Sequence, residues 1–154
     1  MKMRGAFLPI ALAAVLALGA ILAPASLNAA GASAVQLLVI PNTITFHLEP
    51  PPSTSTCEVT IRVVAPGRAP WRLTVLALGP IRSSKGTRIP ASRVSWKGSP
   101  GYVFTDGVLS DQHPQLLARG EGSKVFVVRF LLKNTWDLAA GRFTQKLLFN
   151  LSSP

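Results

Sequence analysis

Residues 57–76, CEVTIRVVAPGRAPWRLTVL, contain the pattern from which we predict the fold class. In each half of this segment, apolar side chains occupy every second position and mostly polar ones lie between them. Successive side chains of a strand point to opposite faces, so this alternation predicts two half-buried β-strands. Proline and glycine at residues 65–70 interrupt the pattern and predict a turn. The pattern places Cys57 on the inward face of the first strand and Trp71 on that of the second.

The same alternation recurs along the chain, and no helix-period stretch follows residue 34. Apolar residues at alternate positions form four further groups: Ile44, Phe46 and Leu48; Val94 and Trp96; Phe126, Val128, Phe130 and Leu132; and Phe143, Leu147, Phe149 and Leu151. Segments rich in Gly, Pro, Ser or Ala separate them, at residues 49–56, 79–90, 98–101 and 139–141. Because proline cannot donate to a sheet ladder, we expect no central strand in these segments.

The region 103–123 is the least regular part of the sequence. We predict one short strand there and a long polar loop over residues 106–123. Short strands with turns at this spacing predict an all-β fold, an immunoglobulin-like antiparallel β-sandwich of about seven strands. Residues 35–154 should form a single domain, large enough to bury a core. The chain has one cysteine, so packing without an intramolecular disulfide must hold the fold together.

The N-terminal region, residues 1–34, has the layout of a secretory signal peptide and its cleavage region. Two basic residues precede the uncharged segment 5–23, and small residues follow it. The A-x-A cleavage pattern fits best after Ala32 or Ala34. We therefore predict a protein that is secreted or located in the cell envelope. An uncleaved leader that anchors the protein is the alternative, because residues 5–23 are long enough to span a bilayer.

The segment AVQLLVI, residues 34–40, is apolar and β-prone, and Pro41 ends it. We interpret it as a first strand from which the chain crosses between the two sheets. The alternative is a donor strand that completes a neighbouring subunit, as in assembled pilins. Self-assembly through this segment or through the sheet edges is thus one predicted partner interaction.

Four segments carry a resemblance to known domains: PNTITF (41–46), APWRLTVLAL (69–78), IPASRVSW (89–96) and AAGRFTQKLLFNL (139–151). In this order they resemble the immunoglobulin-like β-sandwich domains of secreted bacterial surface proteins, including fimbrial-subunit-like and WxL-like domains. The resemblance covers about residues 41–151. Trp71-Arg72-Leu73 matches the Trp-x-Leu letters, but the chain has no convincing second copy. The resemblance implies a role in adhesion, fibre building or cell-wall association.

The cysteine departs from the antibody-type pattern, in which a second cysteine on a late strand would pair with it. The inward positions of that strand here are Phe126, Val128 and Phe130. We expect this aromatic and aliphatic cluster to fill the space of the missing bridge, with Cys57 as a small buried residue. An intermolecular disulfide is the functional alternative.

Positive charge is the most informative feature for function. Without the leader, the chain keeps 14 Lys and Arg against 6 Asp and Glu, a net charge of about +8. We expect Arg62 and Arg72 to lie on one sheet face. The candidate residues for binding an anionic envelope polymer are Arg62, Arg72, Arg82, Lys85, Arg88 and Arg93. The alternative is that this charge only keeps the surface soluble. No nucleic-acid motif is present, so specific nucleic-acid binding is not expected.

Groups suited to catalysis are few. Asp106, Ser110, Asp111 and His113 lie within eight residues, and we interpret their segment as a polar surface loop. A hydrolase triad is assembled across a fold, so a local cluster of this kind predicts little. A metal site formed by Asp106, Asp111 and His113 is a weaker alternative without a standard ligand spacing.

These observations together predict a secreted, non-catalytic structural or adhesion-type protein of the cell surface without a cofactor. It would be a fibre subunit or a wall-associated accessory domain. A monomeric binding module for anionic envelope polymers is the alternative, and an envelope enzyme is a remote one.

Overall fold

The computed structural model describes residues 35–98 and 103–154. The predicted signal peptide, residues 1–34, lies outside the described residues. In chain order the elements are β1 (Gln36–Ile40), β2 (Thr43–Leu48), β3 (Ser53–Val64), β4 (Pro70–Ala77), β5 (Ile81–Ser83), β6 (Arg88–Ile89), a 3₁₀ turn (Ala91–Arg93), β7 (Val94–Lys97), β8 (Gly107–Val108), β9 (Gln115–Glu121), β10 (Lys124–Asn134) and β11 (Gly141–Ser152).

The strands form two antiparallel sheets, which confirms the predicted all-β sandwich. Sheet A has the strand order β1-β3-β10-β7-β8. Sheet B has the order β6-β5-β11-β4-β9, and β2 also pairs with β11. The long strand β11 therefore organises sheet B, with β2 and β5 along its first half and β4 along its second half.

The chain changes sheets close to its first described residues. β1 pairs with β3 in sheet A, whereas β2 pairs with β11 in sheet B, and Pro41 lies between them. Because Pro41 has no N–H, it ends the ladder of β1 at the point where the chain crosses. The prediction of a first strand that crosses between the sheets is confirmed.

The core lies between the two sheets and consists of their inward apolar side chains. Its largest fully buried members include Trp71, Trp96, Phe46, Phe130 and Phe143. The Trp71 ring stacks on Phe126 with centroids 6.1 Å apart, and Trp96 meets Phe130 edge-on at 6.3 Å. Aromatic pairs prefer these offset and edge-on arrangements. The Trp71–Phe126 pair joins the two sheets, whereas Trp96 and Phe130 are a cross-strand pair within sheet A.

Each core tryptophan is covered by a glycine of the neighbouring strand. Gly120 of β9 pairs with Trp71, and Gly107 of β8 pairs with Trp96. A Cβ atom at Gly120 would lie 2.6 Å from Cζ2 of Trp71, and one at Gly107 would lie 2.3 Å from Cζ2 of Trp96. Glycine at these two positions lets the neighbouring backbone lie directly on the indole.

The free Cys57 is half-buried, not fully buried as predicted. It lies near the middle of β3, opposite Phe130 of β10. The predicted inward position and the neighbouring aromatic are therefore both present. Trp71 stacks on Phe126, which pairs with Ile61 and not with Cys57. The cysteine and this tryptophan thus belong to different levels of the core.

Three segments predicted to be loops contain strands, so the described residues hold eleven strands and not seven. Residues 53–56 extend β3, because only residues 50–52 are proline and the Ser and Thr that follow suit a strand. Residues 79–90 contain the β5–β6 hairpin. Residues 106–123 contain β8 and the seven-residue β9. A register shift where β4 pairs with β9 buries the consecutive Leu117 and Ala118, which breaks the period-two pattern.

Candidate anion-binding face

Six exposed basic side chains project from the outer face of sheet B. They are Arg72 of β4, Arg82 of β5, Arg88 of β6, Arg119 of β9, and Arg142 and Lys146 of β11. Residues paired across strands share a face, and the register links this set to alternate outward positions of β11. Among the described strand residues of sheet B, Glu121 is the one acid. We call this surface the basic face.

Two pairs of arginines lie directly opposite each other on the basic face. Arg72 pairs with Arg119, and Arg82 pairs with Arg88. Like charges at directly opposite positions of antiparallel strands destabilise the sheet. The core does not require these side chains, since all four are exposed. A bound anion would remove the repulsion that each pair creates.

The basic side chains form two groups along β11. Arg82, Arg88, Arg142 and Lys146 surround the first half of β11, and we call them the basic cluster. The Arg72–Arg119 pair lies beside Ser152 at the opposite end. Ten residues of β11 separate Arg142 from Ser152, about 33 Å at the usual rise of a strand. This distance exceeds the Debye length of about 8 Å at physiological salt, so the charges of the two groups are screened from each other.

Hydrogen bonds hold the backbone that carries the basic cluster. The Gln145 side chain is buried, and its amide Nε2 donates to the carbonyl of Gly79 over 3.1 Å. Gly79 lies in the link between β4 and β5, so this bond fixes the approach to Arg82. The amide of Ser84 donates to the carbonyl of Arg142 over 3.1 Å, which joins the β5–β6 turn to β11.

The structure separates the six predicted binding residues. Arg72, Arg82 and Arg88 lie on the basic face, and Lys85 lies in the β5–β6 turn beside it. Arg62 does not share a face with Arg72, because β3 belongs to sheet A and β4 to sheet B. The turn at residues 65–69 crosses between sheets instead of forming a hairpin. Sequence reasoning missed Arg119, Arg142 and Lys146, although the alternation of β11 indicates an outward position for Lys146.

Arg93 is engaged in an ion pair. Its guanidinium donates to both carboxylate oxygens of Asp137, with Nη2 2.9 Å from Oδ1. The hydrogen bond from Arg93 lowers the pKa of Asp137, and the same bond raises the pKa of Arg93. The other ion pair of the described residues joins Arg129 to Glu58 on sheet A. Neither pair includes a member of the basic face.

The predicted polar loop at residues 106–113 has a local structural role in the described chain. The Ser110 hydroxyl accepts hydrogen bonds from the backbone amides of Gln112 and His113, both over 3.1 Å. Asp106 accepts a bond from the amide of Gly98 over 2.8 Å. Ser110 therefore supports a tight turn, and Asp106 holds the preceding strand end.

No metal-binding constellation occurs among residues 35–98 and 103–154, where no three His, Cys, Asp or Glu side chains are close enough to share an ion. Asp106, Asp111 and His113 thus do not converge on one point. Within the same ranges, no helix has the length and apolar character needed to cross a bilayer.

The outer face of sheet A differs from the basic face, because large apolar side chains are exposed there. Leu38 and Ile40 of β1, Val64 of β3, and Val125 and Val127 of β10 are 39–65% exposed. The register places Leu38, Arg62 and Val125 in one row, and Ile40, Thr60 and Val127 in the next. We call these five apolar residues the apolar patch. β1 is an edge strand with no charged residue.

Comparisons with known proteins add no family. No protein-family model matches the chain, and no curated protein matches it either. The basic face and the apolar patch are therefore the features of the described chain that bear on its function.

Proposed function

We propose that this protein is a secreted, non-catalytic binding module of the cell envelope that holds anionic polymers on the basic face. The two cross-strand arginine pairs carry this proposal. Each pair places two positive charges at opposite positions of a sheet, where an anion can bridge both guanidinium groups. A chain of phosphate or carboxylate groups would contact the basic cluster at one end of β11 and the Arg72–Arg119 pair at the other.

The basic face differs from a surface that is basic only for solubility. A solubilising surface mixes both signs of charge, whereas the basic face has six cations and one acid in its strands. The secretory leader predicted for residues 1–34 would deliver the protein to the compartment where acidic polysaccharides and polyphosphate-bearing polymers are found.

The test is binding to two probe polymers, long-chain inorganic polyphosphate and polygalacturonate, at several salt concentrations. We expect affinity to fall steeply with salt, because each neutralised charge releases a counterion. The Arg82→Ser/Arg88→Ser variant should bind more than tenfold more weakly. The slope of log affinity against log salt concentration should become less steep by about one for each arginine that no longer pairs with an anionic group.

The matched control is Arg62→Ser/Lys133→Ser, which removes the same charge from the outer face of sheet A. We expect its affinity to stay within about threefold of the wild type, because its charges lie on the opposite side of the sandwich. Equal reductions in both variants would mean that net charge alone attracts the polymer. If the wild type binds neither probe at low salt, the proposal is wrong.

A second candidate function is a self-assembling surface subunit, and the apolar patch favours it. Arg62 and Thr60 lie between the apolar residues of β1 and those of β10, so the exposed Leu38 and Ile40 are at the edge of the sheet. An uncharged edge strand of this kind is open to pairing with another chain. A second copy of this chain fits best, because antiparallel β1 strands can pair about a two-fold axis with Leu38 at the centre.

Light scattering at low and high salt tests the assembly. A mass that grows with concentration and persists at high salt would support it, and Ile40→Lys should return the protein to a monomer. Leu148→Lys is the control, because Leu148 is exposed to a similar degree but lies on sheet B. A monomer at all concentrations would contradict this candidate without affecting the polymer-binding proposal.

A further inference from the structure

The connection between β10 and β11, residues 135–140, presents one tryptophan to solvent. Trp136 is 77% exposed, the highest value among the large apolar residues of the described chain. Trp71 and Trp96 are buried in the core, whereas Trp136 is outside it. An indole of this size gains much from burial, and leaving it in solvent contributes nothing to the fold.

The backbone at Trp136 is also strained. Its φ angle is 77°, and it is the one residue other than glycine with a positive φ in the described part of the chain. A bulky side chain in this region makes unfavourable contacts with its own backbone, and glycine or asparagine would be expected instead. Strain of this kind is typical of positions where function determines the residue.

The surrounding residues hold the strained turn in place. The buried Asn134 side chain donates to the carbonyl of Leu138 over 3.0 Å and to that of Glu49 over 3.1 Å. The Arg93–Asp137 pair clamps the next residue of the turn, and Leu138 is buried. Trp136 is therefore attached to a fixed frame, and little ordering would be needed when it binds a partner.

The turn lies at the same end of sheet B as the basic cluster. Gly141 begins β11 directly after the turn, and Arg142 is the next residue. Residues 139–142 share a small recess with Ser83, Lys85 and Thr87 of the β5–β6 turn. The acids at this end are Glu49 and Asp137, and Asp137 is already paired with Arg93.

We propose that Trp136 and the basic cluster form one site for an acidic polysaccharide. The C–H face of a sugar ring packs flat against the indole, while carboxylate or phosphate groups on the same or the next ring pair with Arg142 and the Arg82–Arg88 pair. This inference rests on the proposed function and names its ligand class. A polymer with charge but without rings, such as polyphosphate, would use the arginines alone.

An acidic polysaccharide fits better than a nucleic acid. Proteins that hold single-stranded nucleic acid usually stack successive bases on several aromatic side chains along a basic groove. The described outer face of sheet B offers no tryptophan, tyrosine or phenylalanine in its strands, and Trp136 is isolated at one end. One aromatic side chain at the same end of the sheet as a charge cluster suits one ring of a charged glycan.

The test uses the purified protein and its Trp136→Gly variant with polygalacturonate, polyphosphate and oligo-dT. We expect Trp136→Gly to weaken polygalacturonate binding about tenfold, because the indole no longer covers the sugar ring. Polyphosphate binding should stay within about twofold of the wild type. The variant should melt at the same or a higher temperature, because glycine relieves the positive φ angle. Trp136→Phe should recover part of the polysaccharide affinity.

The outcomes separate this inference from the proposed function. If the wild type binds both charged polymers but Trp136→Gly keeps its full polygalacturonate affinity, the basic face binds anions and the saccharide site is wrong. If oligo-dT binds more tightly and depends more strongly on Trp136, the aromatic serves a base and the ligand class is wrong. If neither charged polymer binds the wild type, both proposals are wrong.

Discussion

Replacing Gly120 by alanine should destabilise the fold through one contact. The added Cβ would lie 2.6 Å from Cζ2 of Trp71, closer than real Cβ atoms approach, and 3.0 Å from Cη2. The indole is held in place, because its Nε1 donates to the carbonyl of Gly122 over 2.8 Å and its ring stacks on Phe126. The two strands must therefore separate locally.

The magnitude follows from this geometry. Overpacking a well-packed core by one methyl group costs about 1–3 kcal/mol. Alanine also restricts the unfolded chain, which returns about 0.4–1 kcal/mol. We expect a net destabilisation of about 1–2 kcal/mol, and a Tm about 4–8 °C below that of the wild type for a domain of this size. Urea unfolding followed by far-UV circular dichroism measures the free energy of unfolding directly.

A double-mutant cycle identifies the contact. Trp71→Phe removes the ring atoms that the new methyl group would strike, so Gly120→Ala should cost much less in that background. We expect a coupling energy of about 1 kcal/mol between the two positions. The reasoning is refuted if Gly120→Ala is as stable as the wild type, or if its cost is unchanged when Trp71 is phenylalanine.

Two further predictions concern charge. Arg88→Thr should raise the free energy of unfolding by about 0.2–1 kcal/mol at low salt, because it removes the repulsion from Arg82 and adds a good strand residue. The gain should shrink in urea titrations at high salt, and a gain that does not depend on salt would contradict the electrostatic cause. The hydrogen bond from Arg93 lowers the pKa of Asp137 from its ordinary value of 3.8 in the folded protein. The ion pair therefore stabilises the fold fully above pH 3.8, and this stabilisation is lost as the pH falls through the lower pKa of the folded state. The stability difference between the wild type and Asp137→Asn should therefore disappear in acid, and a difference that persists at the lowest pH would show that the substitution acts in another way.

The strands with uninterrupted alternation could be predicted from the sequence, because one face of each strand is buried and the other is exposed to solvent. Apolar residues then recur at every second position. β2, β4, β10 and most of β3 and β11 are of this kind. β9 was missed because its bulge buries Leu117 and Ala118 in succession. Alternation also does not say whether a turn joins neighbours in one sheet or crosses between sheets, which is why Arg62 was placed on the wrong face.

The basic face could be predicted only in part for the same reason. Its members come from five strands, of which β9 and β11 are distant in sequence from β4, β5 and β6. The register of β11 with β4 and β5 brings them together. Trp136 offered no signal, because a single aromatic residue in a polar turn looks the same whether it folds inward or outward. The turn that carries it is held by the contacts of Asn134 with Glu49 and of Asp137 with Arg93, whose partners are distant in the chain.

The parts of the proposed site at the start of β11 oppose the stability of the fold. The Arg82–Arg88 pair brings like charges together, and Trp136 combines a strained backbone with an exposed apolar ring. Neither contributes to the core, and simple substitutions would remove each cost. Natural sequences violate local rules mainly where function requires it. If Arg88→Thr and Trp136→Gly both raise the stability and both weaken binding to polygalacturonate, then the like-charge pair and the strained tryptophan are both explained by binding. If they raise stability and leave binding unchanged, the proximity of the two features is accidental.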